Sequence, residues 1–350
     1  MTLWQVVTQD LPRVGVIPGR RPSRPVVTIC HTRTRAPVAL LGIQLANIEV
    51  LSTAHRVLAP LVEPAIMGIL NVTPDSFSDG GQYVDPAEAV DHALKMIEEG
   101  ATIIDVGGES TRPGAAPVSE LEELNRVIPV IKRLRSTSSI PISIDTQKPM
   151  VMAAAAQAGA DMINDVSALT APGALQVAHE RGLAICLMHM QGSPVHMQDE
   201  PRYEDVVREV LDFLKARVAA CVDAGIPLER ICVDPGFGFG KTVAHNLKLV
   251  NDLSSFCALG VAVLIGVSRK STIAKTLGKQ HLLTGSLVTA LMAVERGASV
   301  LRVHDVAETS AALTMWSAIR GRSIVKGYGR QTKYGGGQGL ATTKMTLKVV

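Results

Sequence analysis

A chain of 350 residues, 47% hydrophobic and 19% charged, is long enough to bury a substantial core. Its net charge of +3 is too small and too dispersed to argue for nucleic-acid binding, although it suits an enzyme with anionic substrates. Glycine, proline or charge interrupts every apolar run before the roughly 18 residues a membrane span needs, so the chain reads as soluble and without a membrane partner.

Residues 1–62 stand apart as an N-terminal extension. No acidic residue lies between Asp10 and Glu49, whereas Arg13, Arg20, Arg21, Arg24, Arg33 and Arg35 all fall there. Such a start can resemble an organelle-targeting segment, but its prolines and β-branched residues break any sustained amphipathic helix. Loose chain or short strands fit better. The five cysteines, Cys30, Cys186, Cys221, Cys232 and Cys257, form no C-x-x-C pair, which fits a reduced, cytoplasmic compartment.

Residues 63–325 read as one (β/α)8 barrel. A short apolar run ending in polar residues or glycine, followed by a segment of helical period, recurs eight times: AIMGILNV from Ala65, ATIIDVGG from Ala101, PISIDT from Pro141, MINDVSA from Met162, AICLMHM from Ala184, ICVDPG from Ile231, VLIGVS from Val263 and VLRVHD from Val300. Alternation of this kind implies a parallel sheet covered by helices, and eight units suit a closed barrel better than an open sheet. Asp85-Pro86-Ala87-Glu88 and Ser119-Glu120-Leu121-Glu122 mark the first two helix starts, each a capping residue with an acid three positions on. Residues 326–350, opening with the Gly-rich KGYGRQTKYGGGQG, read as a flexible tail.

In such barrels the site lies at the carboxyl ends of the strands. Polar residues gather there: Asn71, Asp105, Asp145, Asn164, His189, Asp234, Ser268, Arg302 and His304. Taken alone they could be turn formers, and they would justify only an enzyme of some kind.

As ordered segments, GILNVTPDSFSDGG from Gly68, IIDVGGESTRPGA from Ile103, PISIDT, INDVSA from Ile163, LMHMQG from Leu187, DPGFGFGK from Asp234, SRKS from Ser268, Gly285-Ser286 and RVHDV from Arg302 closely resemble the dihydropteroate synthase family. The resemblance implies condensation of a dihydropterin methyl diphosphate with 4-aminobenzoate, with Mg2+ as cofactor and a homodimer as the assembly. It assigns the pterin to Asp145, Asn164, Met188, Asp234 and Lys270. A carboxylate can accept from the amino group and ring N–H side by side, and a cation can meet the ring carbonyl. It assigns the diphosphate to Asn71, Thr111, Arg112, Arg302 and His304, with Asn71 also meeting the metal. Phe77, Thr111, Pro113, Phe239 and Ser268 are implied for 4-aminobenzoate. Asp145, Lys270, Arg302 and His304 are implied as catalytic, with Asp145 stabilising a pterin cation while the cationic groups hold the departing anion. The Gly-, Ser- and Pro-rich loops Asn71 to Tyr83 and Gly107 to Ser119 have the composition of mobile lids.

Two motifs point elsewhere and fail. Only three residues separate Gly236 from Gly240 before Lys241-Thr242, one short of a P-loop. His189 and His196 lie seven apart without a carboxylate in register for zinc. A pterin-dependent methyltransferase working with a corrinoid partner shares the barrel, but has no diphosphate to release and no use for ESTRPG, SRKS and RVHDV. A non-catalytic paralogue is a third reading, opposed by functional positions that all look intact. The long N-terminal extension and a short loop near Lys279 to Leu283 depart from the family pattern.

Overall fold

A computed structural model describes residues 50–53, 57–60, 63–73, 85–110, 114–192 and 196–321. Most of the expected extension, the whole tail and Cys30 lie outside these residues. Strands β1 (Val50–Ser52) and β2 (Val57–Pro60) pair antiparallel. Eight strands then alternate with helices: β3 (Ala65–Asn71), α1 (Pro86–Glu99), β4 (Ile103–Gly107), α2 (Glu120–Thr137), β5 (Ile142–Asp145), α3 (Pro149–Ala158), β6 (Met162–Asp165), α4 (Ala174–Glu180), β7 (Ala184–Met188), α5 (Val206–Asp223), β8 (Ile231–Asp234), α6 (Val243–Asn251), β9 (Ala262–Ile265), α7 (Ser271–Leu277), α8 (Leu282–Glu295), β10 (Val300–Val303) and α9 (Val306–Ile319). Strands β3 to β10 pair in parallel in chain order, and β10 returns to β3, so the expected (β/α)8 barrel is closed. Two helices follow β9. The short turn Lys279–His281 lies between them.

The helix starts form for the reasons the sequence offers. Asp85 accepts from the Ala87 amide and Pro86 occupies the first turn, while Ser119 accepts from Glu122. Pro129 sits inside α2, on an exposed position, where the carbonyl it leaves unbonded can face water.

Strand alternation sorts the core into two. Outward residues such as Ile66, Leu70, Ile104, Ile144, Ile163, Ile185 and Val233 pack under the helices in one large cluster. Inward residues Ala65, Met67, Ile103, Met162, Ala184, Cys186, Cys232, Ala262, Leu264 and Val300 fill the barrel's lower interior, with Leu51 of β1 among them. Each fully buried Leu, Ile or Val contributes about 1.5–3 kcal/mol. Further along the strands the same inward parity delivers Asn71, Asp105, Asp145, Asn164, Met188, Asp234, Arg302 and, just past β10, His304. The apolar floor therefore becomes a polar rim within one step of the pleat.

Candidate active site

Arg302 forms the hub of that rim. Its Nε donates to Asp105 Oδ2 at 2.6 Å and its Nη2 to Asp145 Oδ2 at 2.6 Å. Asn164 Nδ2 donates to the same Asp105 oxygen at 3.0 Å. Burial opposes the charge on Arg302, but Asp105 and Asp145 outweigh it and push the guanidinium pKa up. Burial raises the Asp145 pKa to about 7; Arg302 pulls it down, while Asp105, Glu123 and Asp165 push it further up. Glu123 belongs to an ionic group beside the rim, in which Lys148 Nζ donates to Glu109 at 2.6 Å and to Glu123 at 2.5 Å. Glu109 in turn accepts from the Val118 amide at 2.9 Å, tying together the two ends of the loop after β4.

Asp234 ends β8 and accepts from the Gly236 amide at 2.7 Å. Only glycine serves at 236: φ is +72°, and a side chain there would begin 1.8 Å from the His189 carbonyl oxygen. Burial raises the Asp234 pKa, against the Gly236 amide, Lys270, Lys241 and Arg302. The turn folds the rest of DPGFGFGK back over the end of β7 and sends Lys241 inward, where it is 3% exposed. Its Nζ donates to the carbonyls of Phe239 (2.8 Å) and His189 (3.3 Å) and lies 3.1 Å from His189 Nδ1. Burial lowers the Lys241 pKa to about 7, with Asp234 opposing and Lys270 assisting. Burial and Lys241 lower that of His189 to about 3.

Lys270 lies with Nζ 4.1 Å from the centroid of the Phe239 ring, a cation over an aromatic face. It arrives there because Arg269 adopts a left-handed conformation, φ 56°, held by the Arg269 amide bonding to Ser286 Oγ at 2.9 Å and by its guanidinium pairing with Asp305. Gly285 lets α8 approach, since a side chain there would begin 2.3 Å from Ile273 of α7. The Gly-Ser pair is thus the device that aims Lys270. Phe239 packs with Val166, Met188 and Met197 into an apolar wall beside the polar rim.

Ser268 accepts from the His304 amide and lies 3.2 Å from His304 Nδ1. The hydroxyl, accepting from the main chain, is placed to donate its own proton to Nδ1, the arrangement in which Nε2 carries the ring proton and donates. Burial, assisted by Arg302, Arg269 and Lys270 and opposed by Asp305, lowers the His304 pKa to about 4, so the imidazole is neutral at pH 7.

The described rim thus gathers Asn71, Asp145, Asn164, Met188, Asp234, Phe239, Ser268, Lys270, Arg302 and His304. Phe77, Thr111, Arg112 and Pro113 lie outside the described residues. Sequence reasoning places Ser268 with 4-aminobenzoate; the structure shows it at the rim beside His304. It gave Asp105 and Lys241 no role in the site. Asp105 carried a signal, because it shares inward parity with Gly107 and Ile103, whereas Lys241 was read only as the end of a failed phosphate loop.

The pattern of the pterin binding enzyme family matches residues 67–304. The dihydropteroate synthase of Haemophilus influenzae is 52% identical over 257 residues, 73% of this chain and 94% of its own length. Dihydropteroate synthase of Xanthomonas albilineans, solved with 4-aminobenzoic acid, is 50% identical with a TM-score of 0.72, covering 77% of this chain and 98% of that one. The Yersinia pestis dihydropteroate synthase, solved in a sulfonamide drug complex, is 46% identical with a TM-score of 0.73, covering 78% of this chain and 99% of that one.

Proposed function

We propose the following for a chain that belongs to the dihydropteroate synthase family of pterin-binding enzymes: it condenses (7,8-dihydropterin-6-yl)methyl diphosphate with 4-aminobenzoate, yielding 7,8-dihydropteroate and diphosphate for folate synthesis. The observation that carries the reading is the convergence, on one rim, of a carboxylate and amide clamp with cations suited to an anion. Asp234 accepts from the pterin amino group and ring N–H, Asn164 completes that edge, and Lys270 meets the ring carbonyl. Met188 packs on the ring face, and Phe239, Phe77 and Pro113 take the flat benzoate with Thr111 and Ser268.

The methylene C–O bond breaks first, and diphosphate leaves with the electron pair. Ionised Asp145 stabilises the resulting pterin cation, and the growing positive charge draws its pKa back down from about 7. Arg112, Thr111, Arg302 and neutral His304 donate to the departing anion. Arg302 does so through Nη1, which makes no hydrogen bond among the described residues. The aniline lone pair then forms the new C–N bond and the nitrogen gives its proton to water.

The family resemblance implies Mg2+. Asn71 Oδ1 fits such an ion: it is a hard oxygen at the inward rim, and both it and Asp145 Oδ2 lie 3.8 Å from where a side chain on Gly107 would begin. No group of three His, Cys, Asp or Glu able to hold a metal occurs among the described residues. When bound, Mg2+ supplies charge neutralisation of the diphosphate.

A homodimer is supported by the large apolar side chains that α7 to α9 leave exposed, Leu277, Leu283, Val288, Met292, Met315 and Ile319. Cytoplasmic placement is supported by Cys186, Cys221, Cys232 and Cys257, all free thiols. No described helix is long and apolar enough to cross a membrane. A pyrophosphate-release assay with both substrates and Mg2+ tests the function. Release is expected only when both substrates are present and is expected to be suppressed by a sulfonamide; its absence would sink the reading.

A further inference from the structure

We propose that Asp105, a residue with no substrate contact in the mechanism above, is the positioning residue that fixes which way the Asn164 carboxamide faces. The inference rests on the pterin-binding reading of the rim. Asp105 is fully buried on β4, and its inward Oδ2 is shared between Asn164 Nδ2 at 3.0 Å and Arg302 Nε at 2.6 Å. A carboxamide has two nearly isosteric orientations, and within a pocket that offers only shape both would be populated. A carboxylate removes the choice. It accepts from the amide nitrogen, whereas the turned amide would set carbonyl oxygen against carboxylate oxygen in a buried place, losing a charge-assisted bond and adding repulsion.

One Asn164 N–H is therefore spent on Asp105, and the second N–H and the carbonyl oxygen are left as a donor and acceptor pair. That pair is complementary to an unprotonated ring nitrogen beside an exocyclic amine, the edge a pterin presents next to the groups Asp234 accepts. Arg302 supports the arrangement from the other side: it neutralises Asp105, and its second bond, to Asp145, keeps the guanidinium in place. Asp105 Oδ1 has no hydrogen-bond partner among the described residues, so the oxygen that orients Asn164 carries the side chain's structural bonds.

The test is a double-mutant cycle in the full-length enzyme, assayed by pyrophosphate release, with thermal melting as the check on folding. Asp105→Leu keeps the approximate shape and removes the acceptor. It is expected to raise KM for the dihydropterin diphosphate about thirtyfold, in the range for one charge-assisted bond, with KM for 4-aminobenzoate changed less than about twofold. In an Asn164→Ala background the same substitution is expected to raise the pterin KM less than about threefold, because the carboxamide is no longer there to orient and only the bond to Arg302, which Asp145 also holds, is lost. Asp105→Asn, which retains an acceptor oxygen, is expected to lie between wild type and Asp105→Leu. If the leucine variant does not fold, the asparagine variant carries the cycle with a rise of about fivefold that disappears in the Asn164→Ala background. Additive losses, or equal rises in both KM values, overturn the positioning role. Failure of the wild-type enzyme to release pyrophosphate overturns instead the reading on which it rests.

Discussion

Lys241 Nζ lies 3.1 Å from His189 Nδ1, a separation at which two cations would repel strongly, and burial holds both pKa values down, to about 7 and about 3. His189 is thus the neutral member, and Lys241 carries a proton only with difficulty. Between pH 7 and the ordinary lysine value of 10.5 the unfolded chain binds the proton that folded Lys241 has lost. This group's contribution to stability therefore rises with pH through that window and is lost as pH falls through 7. Urea unfolding at pH 7 and pH 9.5 is expected to show the rise in wild type, on the order of a few kcal/mol at most, and a flatter profile in Lys241→Met. An unchanged slope in the variant would assign the effect to other groups.

Asp145 acts in the opposite direction. Its pKa is raised from 3.8 to about 7, so between those values the folded protein binds the extra proton. Its stabilising contribution is complete below pH 3.8 and is lost as pH rises through 7. Asp165 and Asp234, also raised by burial, add the same sign. Asp145→Asn is expected to flatten the fall in unfolding free energy between pH 5 and 7 by on the order of a few kcal/mol, while turnover drops by about a hundredfold or more. Normal turnover in this variant would remove the carboxylate from the chemistry.

His304, with a pKa near 4, donates as a neutral imidazole. A neutral donor of similar reach should replace it in part. His304→Gln is expected to keep kcat/KM within about tenfold of wild type, and His304→Ala to lose about a hundredfold, consistent with loss of one donor to a developing anion. Equal losses in the two variants would point to a role for the ring itself.

The exposed apolar side chains on α7 to α9 offer a direct measurement. Val288, 53% exposed, is the one at issue on α8. Val288→Arg is expected to convert a dimer to a monomer in light scattering after gel filtration, with little change in melting of the isolated subunit. A wild-type monomer at micromolar concentration would end the dimer proposal.

The barrel was legible because each strand is an apolar run punctuated at its carboxyl end, and because Asp85 and Ser119 announce the helices that follow. Choosing between adjacent polar residues took one further step. Asn164 and Asp165 are neighbours, but inward parity selects Asn164 for the rim and leaves Asp165 to bond the amides of Ser167 and Leu169 in the turn. What stayed hidden depends on distant pairing. Arg302 reads in sequence as a cation for an anionic ligand, yet two of its nitrogens are bound to Asp105 and Asp145, 197 and 157 positions away. Lys148 likewise meets Glu109 and Glu123, 39 and 25 positions distant, through packing of the β4 loop against α2 that no local pattern encodes. Lys241 was missed because only the folded turn at Gly236 carries it inward.

Leu51 is fully buried among the lowest inward side chains of the barrel, and its strand rests against the turn Leu228–Arg230 that leads into β8. Leu51 thereby extends the packed floor at the amino-terminal end, and the carboxyl-terminal rim is the open face of the barrel. Whatever occupies the deepest seats, at Asp234 and Asn164, must enter before anything settles above them and depart after it. On the proposed reading of the rim, a bicyclic heterocycle seated against this floor is expected to bind ahead of the arylamine above it, because the packed interior gives no second way in.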